Sequence, residues 1–295
     1  MIAIVVDSTA ALTRAEALRF GVTMVNDSYE VDGVTHEESF LDENGDYDAL
    51  LAGAGACSTQ TAGTEAFRTA FETLTSAGSD VLCVTISSRL AGTYRNACRA
   101  ADQLPETITR PDGTCAPRPS VAVLDSLSGF TNTEYLVRRA RMLEARGMAF
   151  ADVIDDLVEA RTRQGICFSV PSTEPLRSAG RLSMLPQSVT TMLNRYPVLT
   201  MRDGAIACVG TARGSEALAR TMVAQVPAGT RDLTLAHYGA RNALTVELLR
   251  AARESFPRAR IRVKDGGPVL TINLGRGAAS VAWAPADEEG RAGEA

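Results

Sequence analysis

Val81-Leu82-Cys83-Val84-Thr85-Ile86-Ser87-Ser88-Arg89-Leu90-Ala91-Gly92-Thr93 is the stretch whose reading decides the fold. Its first six residues are apolar on both faces of an extended chain, which suits a central strand of a parallel sheet covered by helices. A polar step follows, and helix-forming composition resumes at about Tyr94, so the stretch reads as strand, loop and helix. The same scheme occurs on either side of it. Ile2-Ala3-Ile4-Val5-Val6 ends at Asp7-Ser8-Thr9, ahead of a helix behind a Thr13 cap. Val121-Ala122-Val123-Leu124 reads as a third central strand, ending at Asp125-Ser126 before two long helical patterns that run to about Arg163. Repeated β-α units of this kind build an α/β domain, and ligands bind outside the carboxyl ends of its strands.

Between these units, Val22 to Val31 is extended and leads through Asp32-Gly33 into an acidic loop and a helix near Asp46 to Leu51. Gly53 to Thr61 reads as a small-residue loop. The helix expected over about Thr64 to Thr75 places Ala66, Phe67, Ala70, Phe71 and Leu74 on one face. Pro105 to Pro119 holds four prolines and reads as an exposed insertion.

The second half is different in texture. Ile166 to Val170 is a strand, Glu174 to Gly180 a short helical turn, and Asp203-Gly204 a hairpin turn between two strands. Helices over Ser215 to Val226 and Asn242 to Glu254 alternate with strands at Leu233 to Ala236 and Ile261 to Val263. Strands near Val269 to Ile272 and Ala279 to Trp283 close the pattern. The expectation is a two-domain α/β protein: an N-terminal parallel β-α sheet domain over 1–163 and a C-terminal mixed α+β domain over 164–285. The Glu-, Gly- and Ala-rich residues 286–295 read as a disordered tail.

Composition narrows the chemistry. Among 295 residues Lys264 is the only lysine, and His36 and His237 are the only histidines. Schiff-base catalysis, a P-loop lysine and multi-histidine metal sites all need residues this chain barely has. A net charge of −5, with arginines spread along the chain, argues against nucleic-acid binding. The apolar run after Met1 is too short for a signal peptide or a membrane span, so a cytoplasmic location without membrane insertion is expected. The six cysteines form no C-x-x-C pair and read as reduced and mostly buried.

Familiar catalytic signatures are missing. Gly53-x-Gly55 and Gly275-x-Gly277 lack the third glycine of a dinucleotide loop, no serine sits in a nucleophile elbow, and Lys264 precedes aspartate. What does stand out is hydroxyl density before helices: Ser58-Thr59-Gln60-Thr61 before one, Ser87-Ser88 and Gly92-Thr93 before another. Free N–H groups at such places favour an anion, although plain N-capping uses the same residue types.

These residues resemble the DegV family, which includes the fatty-acid-binding subunits of bacterial fatty acid kinase. The likeness extends from about residue 2 to residue 284. It rests on Val6-Asp7-Ser8-Thr9, Ser58-Thr59-Gln60-Thr61, the block Ile86 to Ala97, Leu124-Asp125-Ser126, Leu176 to Ser183, and Tyr196-Pro197-Val198-Leu199 with Asp203-Gly204. The block Ile86 to Ala97 is the most specific, matching S-S-x-L-S-G-T-Y-x-x-A. The resemblance implies that one long-chain fatty acid lies in an apolar tunnel between the domains, with its carboxylate at the hydroxyl-rich loops. It further implies presentation to a separate ATP-dependent fatty acid kinase, with this chain as a non-catalytic binding protein that needs neither cofactor nor metal.

Carried over residue by residue, the ligand-binding candidates are Ser58, Thr59, Ala91, Gly92, Thr93 and Asn273, with Arg181 near the ligand head or on a partner surface. Arg213 is a weaker candidate, and His237 reads as structural. Four positions depart from the family: Ala91 replaces the serine of L-S-G-T, Asn273 stands where the family has histidine, Arg276 replaces a proline, and Ala179 replaces the first glycine of G-G-R. Two other readings remain open at this point. One is the same fold binding another amphiphile or a phosphorylated metabolite; the other is a hydrolase or acyltransferase using Ser58, Ser88 or Ser126 with a histidine.

Overall fold

The computed structural model describes residues 1–109, 113–182 and 195–285, so the expected tail lies outside the described residues. Internal contacts divide the chain into two units, Met1–Gly45 with Gly55–Arg161, and Asp46–Ala54 with the chain from Thr162 onward. A single cut near residue 163 leaves Asp46–Ala54 with the first domain, whereas this short segment packs with the second unit.

In chain order the first part contains β1 (Ile2–Asp7), α1 (Arg14–Phe20), β2 (Val22–Val25), β3 (Ser28–Val31) and β4 (Val34–Glu37). Then comes α2 (Tyr47–Ala52), which belongs to the second unit. The first unit resumes with β5 (Cys57–Gln60), α3 (Thr64–Ser76), β6 (Asp80–Thr85), α4 (Thr93–Asp102), β7 (Thr107–Thr109), β8 (Cys115–Pro117), β9 (Val121–Asp125), α5 (Thr131–Ala145) and α6 (Phe150–Ala160). Its main sheet is parallel, in the order β2-β1-β6-β9. Residues Val81 to Thr85 of β6 are all buried, as a central strand requires. On one face Val5, Val81 and Cys83 pack with Phe67 and Phe71 of α3 and Ala97 and Ala100 of α4. On α5 and α6, Leu136, Val137, Ala140, Val153 and Leu157 are buried.

Three expectations need correction in this unit. Val121 to Asp125 is an edge strand, half-buried over its first three residues, because β9 ends the sheet. The acidic loop contains β4, and the small-residue loop contains β5; both pair antiparallel with β3 in a second sheet, β4-β3-β5. The proline-rich insertion is largely exposed, as expected, and carries β7 and β8, which pair antiparallel and bury Ile108 opposite Ala116. Only Cys83 and Cys167 are buried; Cys57 and Cys115 are exposed.

The second unit adds β10 (Gly165–Ser169), α7 (Glu174–Ser178), β11 (Tyr196–Arg202), β12 (Ala205–Ala212), α8 (Ser215–Val223), β13 (Asp232–His237), α9 (Ala243–Ser255), β14 (Arg260–Asp265), α10 (Gly267–Leu274) and β15 (Ala279–Ala284). Its six-stranded mixed sheet runs β12-β11-β10-β15-β13-β14, with β13 and β14 the parallel pair. The hairpin turns at Asp203 and Gly204, both with positive φ (48° and 78°), as a two-residue type I′ turn demands. Leu218, Met222, Leu244 and Leu248 of α8 and α9 pack on Leu233, Leu235 and Val281. The segment α2 is tied here through Tyr47 to Asp265 and through Asp48 to Arg276.

Val269 to Ile272 lies in a helix, α10, and not in the expected strand. A short apolar run does not distinguish strand from helix by periodicity. What decides is its start: Pro268 sits in the first turn, where its missing N–H costs nothing. Gly266 lets the chain pass the buried Tyr238 ring, which an added Cβ would meet at 2.1 Å. Among the described residues, no helix is long and apolar enough to cross a membrane.

Candidate functional site

At the carboxyl end of β1, the Asp7 side chain is buried and turned inward. It accepts hydrogen bonds from the Thr9 amide at 3.1 Å, from the Thr9 hydroxyl, and from the Ile86 amide at 2.8 Å. It therefore clasps the loop after β1 to the loop after β6. Ser8 Oγ donates to Glu38 at 2.7 Å and accepts from the Asp27 amide at 3.1 Å, while Asp27 accepts from the Ala62 amide at 2.8 Å. Three buried carboxyl side chains thus stand beneath these loops. Burial raises Asp7, and Asp27 is held well above the ordinary carboxylate range by burial first and then by Asp7 and Glu38.

The next layer is the start of α4. The Ser87 carbonyl accepts from the Leu90 and Ala91 amides at 2.9 and 3.3 Å, and the Ser88 amide donates to Asp125 at 3.2 Å. The Ala91 amide is thereby consumed, and Ala91 offers no hydroxyl. Gly92 follows as the N-cap without any side-chain cap. A Cβ at Gly92 would lie 3.4 Å from Arg95 Nη2 and 3.8 Å from Thr61 Oγ1, and Asn96 donates to the Ala62 carbonyl at 2.9 Å. The structure thus brings Thr61 and Ala62, just after β5, beside Gly92 and the first turn of α4. Thr93 is 0% exposed, and its hydroxyl has no hydrogen-bond partner. A helix start with free amides and an unsatisfied hydroxyl can receive an anionic oxygen.

Ser58 and Thr59 do not act as a pair. On β5, Ser58 is opposite Glu30, and Thr59 is opposite Tyr29, whose other neighbour is His36. Successive strand residues point to opposite faces. Thr59 therefore shares the face of buried Tyr29, which stacks on His36 with centroids 5.2 Å apart, while Ser58 leaves from the other face with Glu30. This also separates Ser58 from His36, as a Ser58–His36 nucleophile and base would not be.

In the second unit, Asn273 lies in the last turn of α10. Its Oδ1 accepts from Arg181, and its Nδ2 donates to the Val269 carbonyl at 2.7 Å. Burial lowers the pKa of the Arg181 guanidinium. His237 Nδ1 donates to the Gly239 carbonyl at 2.6 Å, closing the loop after β13. Arg213 is exposed ahead of α8. Sequence reasoning missed Asp27, Glu38 and Asn96. Their side chains act through partners 30 to 35 residues away, which no local pattern announces.

A profile described as an uncharacterised protein family, DegV, matches residues 1–286. The chain belongs to the DegV family. A DegV domain-containing protein of Halalkalibacterium halodurans is 26% identical over 292 residues, spanning 96% of this chain and 98% of that one. A fatty acid binding DegV family protein from Streptococcus agalactiae has the same fold, with a TM-score of 0.83 at 20% identity, covering 97% of this chain and 99% of the other. A DegV family protein from Eubacterium eligens, loaded with heptadecanoic acid, superposes with a TM-score of 0.79 at 18% identity over 97% of this chain and 100% of the other. The mixed α/β architecture described above is thus that of the DegV proteins.

Proposed function

We propose that this DegV protein binds a long-chain fatty acid. The observation that carries the reading is the buried, unpartnered Thr93 hydroxyl at the uncapped start of α4. The carboxylate takes its hydrogen bonds from Thr93 Oγ1 and from the Gly92 and Thr93 amides, with Thr59 adjoining on β5. Ser58 contributes to the main-chain shape of that strand, and Ala91 leaves room where the family's serine would donate. Asn273 holds Arg181 and does not touch the ligand. Each methylene buried contributes about 0.8 kcal/mol, so chain length supplies most of the affinity, and the polar donors fix the head. The ligands named for the S. agalactiae and E. eligens proteins support this choice.

In this reading the fatty acid is a ligand and not a cofactor. The protein works in the cytoplasm and presents the carboxylate to a separate fatty acid kinase, itself performing no chemistry. Mass spectrometry of organic extracts of the purified protein tests the binding step. Recovery of a stoichiometric long-chain fatty acid is expected; no lipid, together with no binding of a fluorescent acyl probe, overturns the reading. Acyl phosphate formed from ATP only when a kinase subunit is added tests the presentation step.

A further inference from the structure

A cavity of about 260 Å³ opens in the second unit where β10 ends and α8 and α9 begin. Ser169, Ser215, Asn242 and Ala243 line it, over the apolar Leu218 and Leu244. Two helix N-termini therefore share one small space. The nine-residue α8 starts after Gly214 with no side-chain cap. At the thirteen-residue α9, Asn242 Oδ1 accepts from the Thr245 amide at 3.1 Å, and Asn242 Nδ2 donates to the Gly277 carbonyl at 2.7 Å. That arrangement satisfies Thr245 and leaves the Ala243 and Leu244 amides at the cavity.

Ser169 supplies the second, independent observation. It is the last residue of β10, 1% exposed; the residue lines the cavity, and its buried hydroxyl has no hydrogen-bond partner. Buried hydroxyls are normally paired, so one left open beside two positive helix ends marks a place for an acceptor. Exposed Arg213 and Arg241 precede the two helices and add positive charge. Glu216, in the first turn of α8, is engaged by Arg220 at 3.3 Å and Arg250 at 3.2 Å.

We infer that this cavity binds the phosphate group of a small phosphorylated metabolite. Donors come from three separate elements, β10, α8 and α9. A tetrahedral oxyanion has oxygens for all three, whereas a planar carboxylate has two. The volume lies just below the roughly 300–1,000 Å³ of drug-sized sites, so a compact ligand fits. The site uses none of the residues assigned to the fatty acid and does not depend on that assignment.

Calorimetric titration of the full chain with inorganic phosphate at constant ionic strength, with acetate alongside, tests the site. Saturable phosphate binding in the millimolar range is expected, with acetate about tenfold weaker. Ser169→Ala should weaken phosphate at least about fivefold, and Ala243→Glu, a change at an exposed position, should abolish binding. Absence of saturation by about 20 mM phosphate, equal binding by the parent and a folded Ala243→Glu variant, or acetate binding as tightly as phosphate would each overturn the assignment.

Discussion

Arg181 donates from Nη1 to Oδ1 of Asn273, and the other end of the same amide donates to the Val269 carbonyl at 2.7 Å. Both ends of the side chain are thus engaged within the second unit, where they hold a partly buried guanidinium against α10. Asn273→Ala removes that hydrogen bond and should destabilise the protein by about 1.5–3 kcal/mol, the usual worth of a hydrogen bond to a charged group. Acyl-probe affinity should stay within about twofold of the parent. Thermal unfolding and probe displacement on the same preparation check both; a large loss of affinity with unchanged stability contradicts the assignment.

Thr93→Val is nearly isosteric and removes a hydroxyl that has no partner in the ligand-free chain. The unliganded variant should be as stable as the parent or slightly more so, because no hydrogen bond is lost and a desolvated polar group disappears. Fatty acid binding should weaken about tenfold, since the charged acceptor loses a donor. Opposite signs in the melting temperature and the acyl-probe titration identify a hydroxyl kept for a ligand. Unchanged binding assigns Thr93 to the helix alone.

Strand alternation on β5 makes Ser58 and Thr59 separable. Thr59→Val should reduce acyl affinity several-fold, whereas Ser58→Ala, on the face shared with Glu30, should leave it within about twofold. Equal losses in the two single variants, measured by probe displacement, would show that the strand face does not decide which hydroxyl matters.

Asp27 gives a dependence on pH. Burial, with Asp7 and Glu38 nearby, holds its carboxyl well above the 3.8 of an unperturbed aspartate. The native chain therefore keeps a proton that the unfolded chain releases once pH passes about 4. The unfolded state then binds fewer protons, so stability is greatest below that pH and falls as pH rises toward the folded-state pKa. Asp27→Asn keeps an oxygen for the Ala62 amide and removes this titration. Denaturation between about pH 4 and 8 should show a shallower decline for the variant and greater stability than the parent at the upper end. Identical slopes rule out Asp27 as the source.

The parallel sheet was legible because β6 is buried on both faces and so reads as an unbroken apolar run. The β11–β12 hairpin was legible because Asp203-Gly204 carries its turn chemistry locally. Two elements were misread for different reasons. Val269 to Ile272 is a short apolar run whose helix is marked only by Pro268 in its first turn, and Cys57 to Gln60 becomes a strand only by pairing with β3. At the candidate site, Gly92 and Thr93 announced themselves as a helix entrance. The face assignment of Ser58 and Thr59 did not, because alternation is meaningful only once β5 exists. Glu38 read as part of a solvated acidic loop and Asp27 as part of an extended stretch, and their buried contacts are with Ser8 and Ala62, nineteen to thirty-five residues away.

The excursion of α2 out of the first unit has a consequence for biosynthesis. Tyr47 meets its hydrogen-bond partner Asp265 across 218 residues of chain. At about 5–20 residues per second, a ribosome takes roughly 10–45 s to make the intervening polypeptide. Throughout that interval Tyr47 and Leu51, both buried in the finished protein, wait without the strand and helix that cover them. The nascent chain must complete a parallel sheet on both sides of an unplaced helix, and the second unit closes only when nearly the last of its residues have emerged.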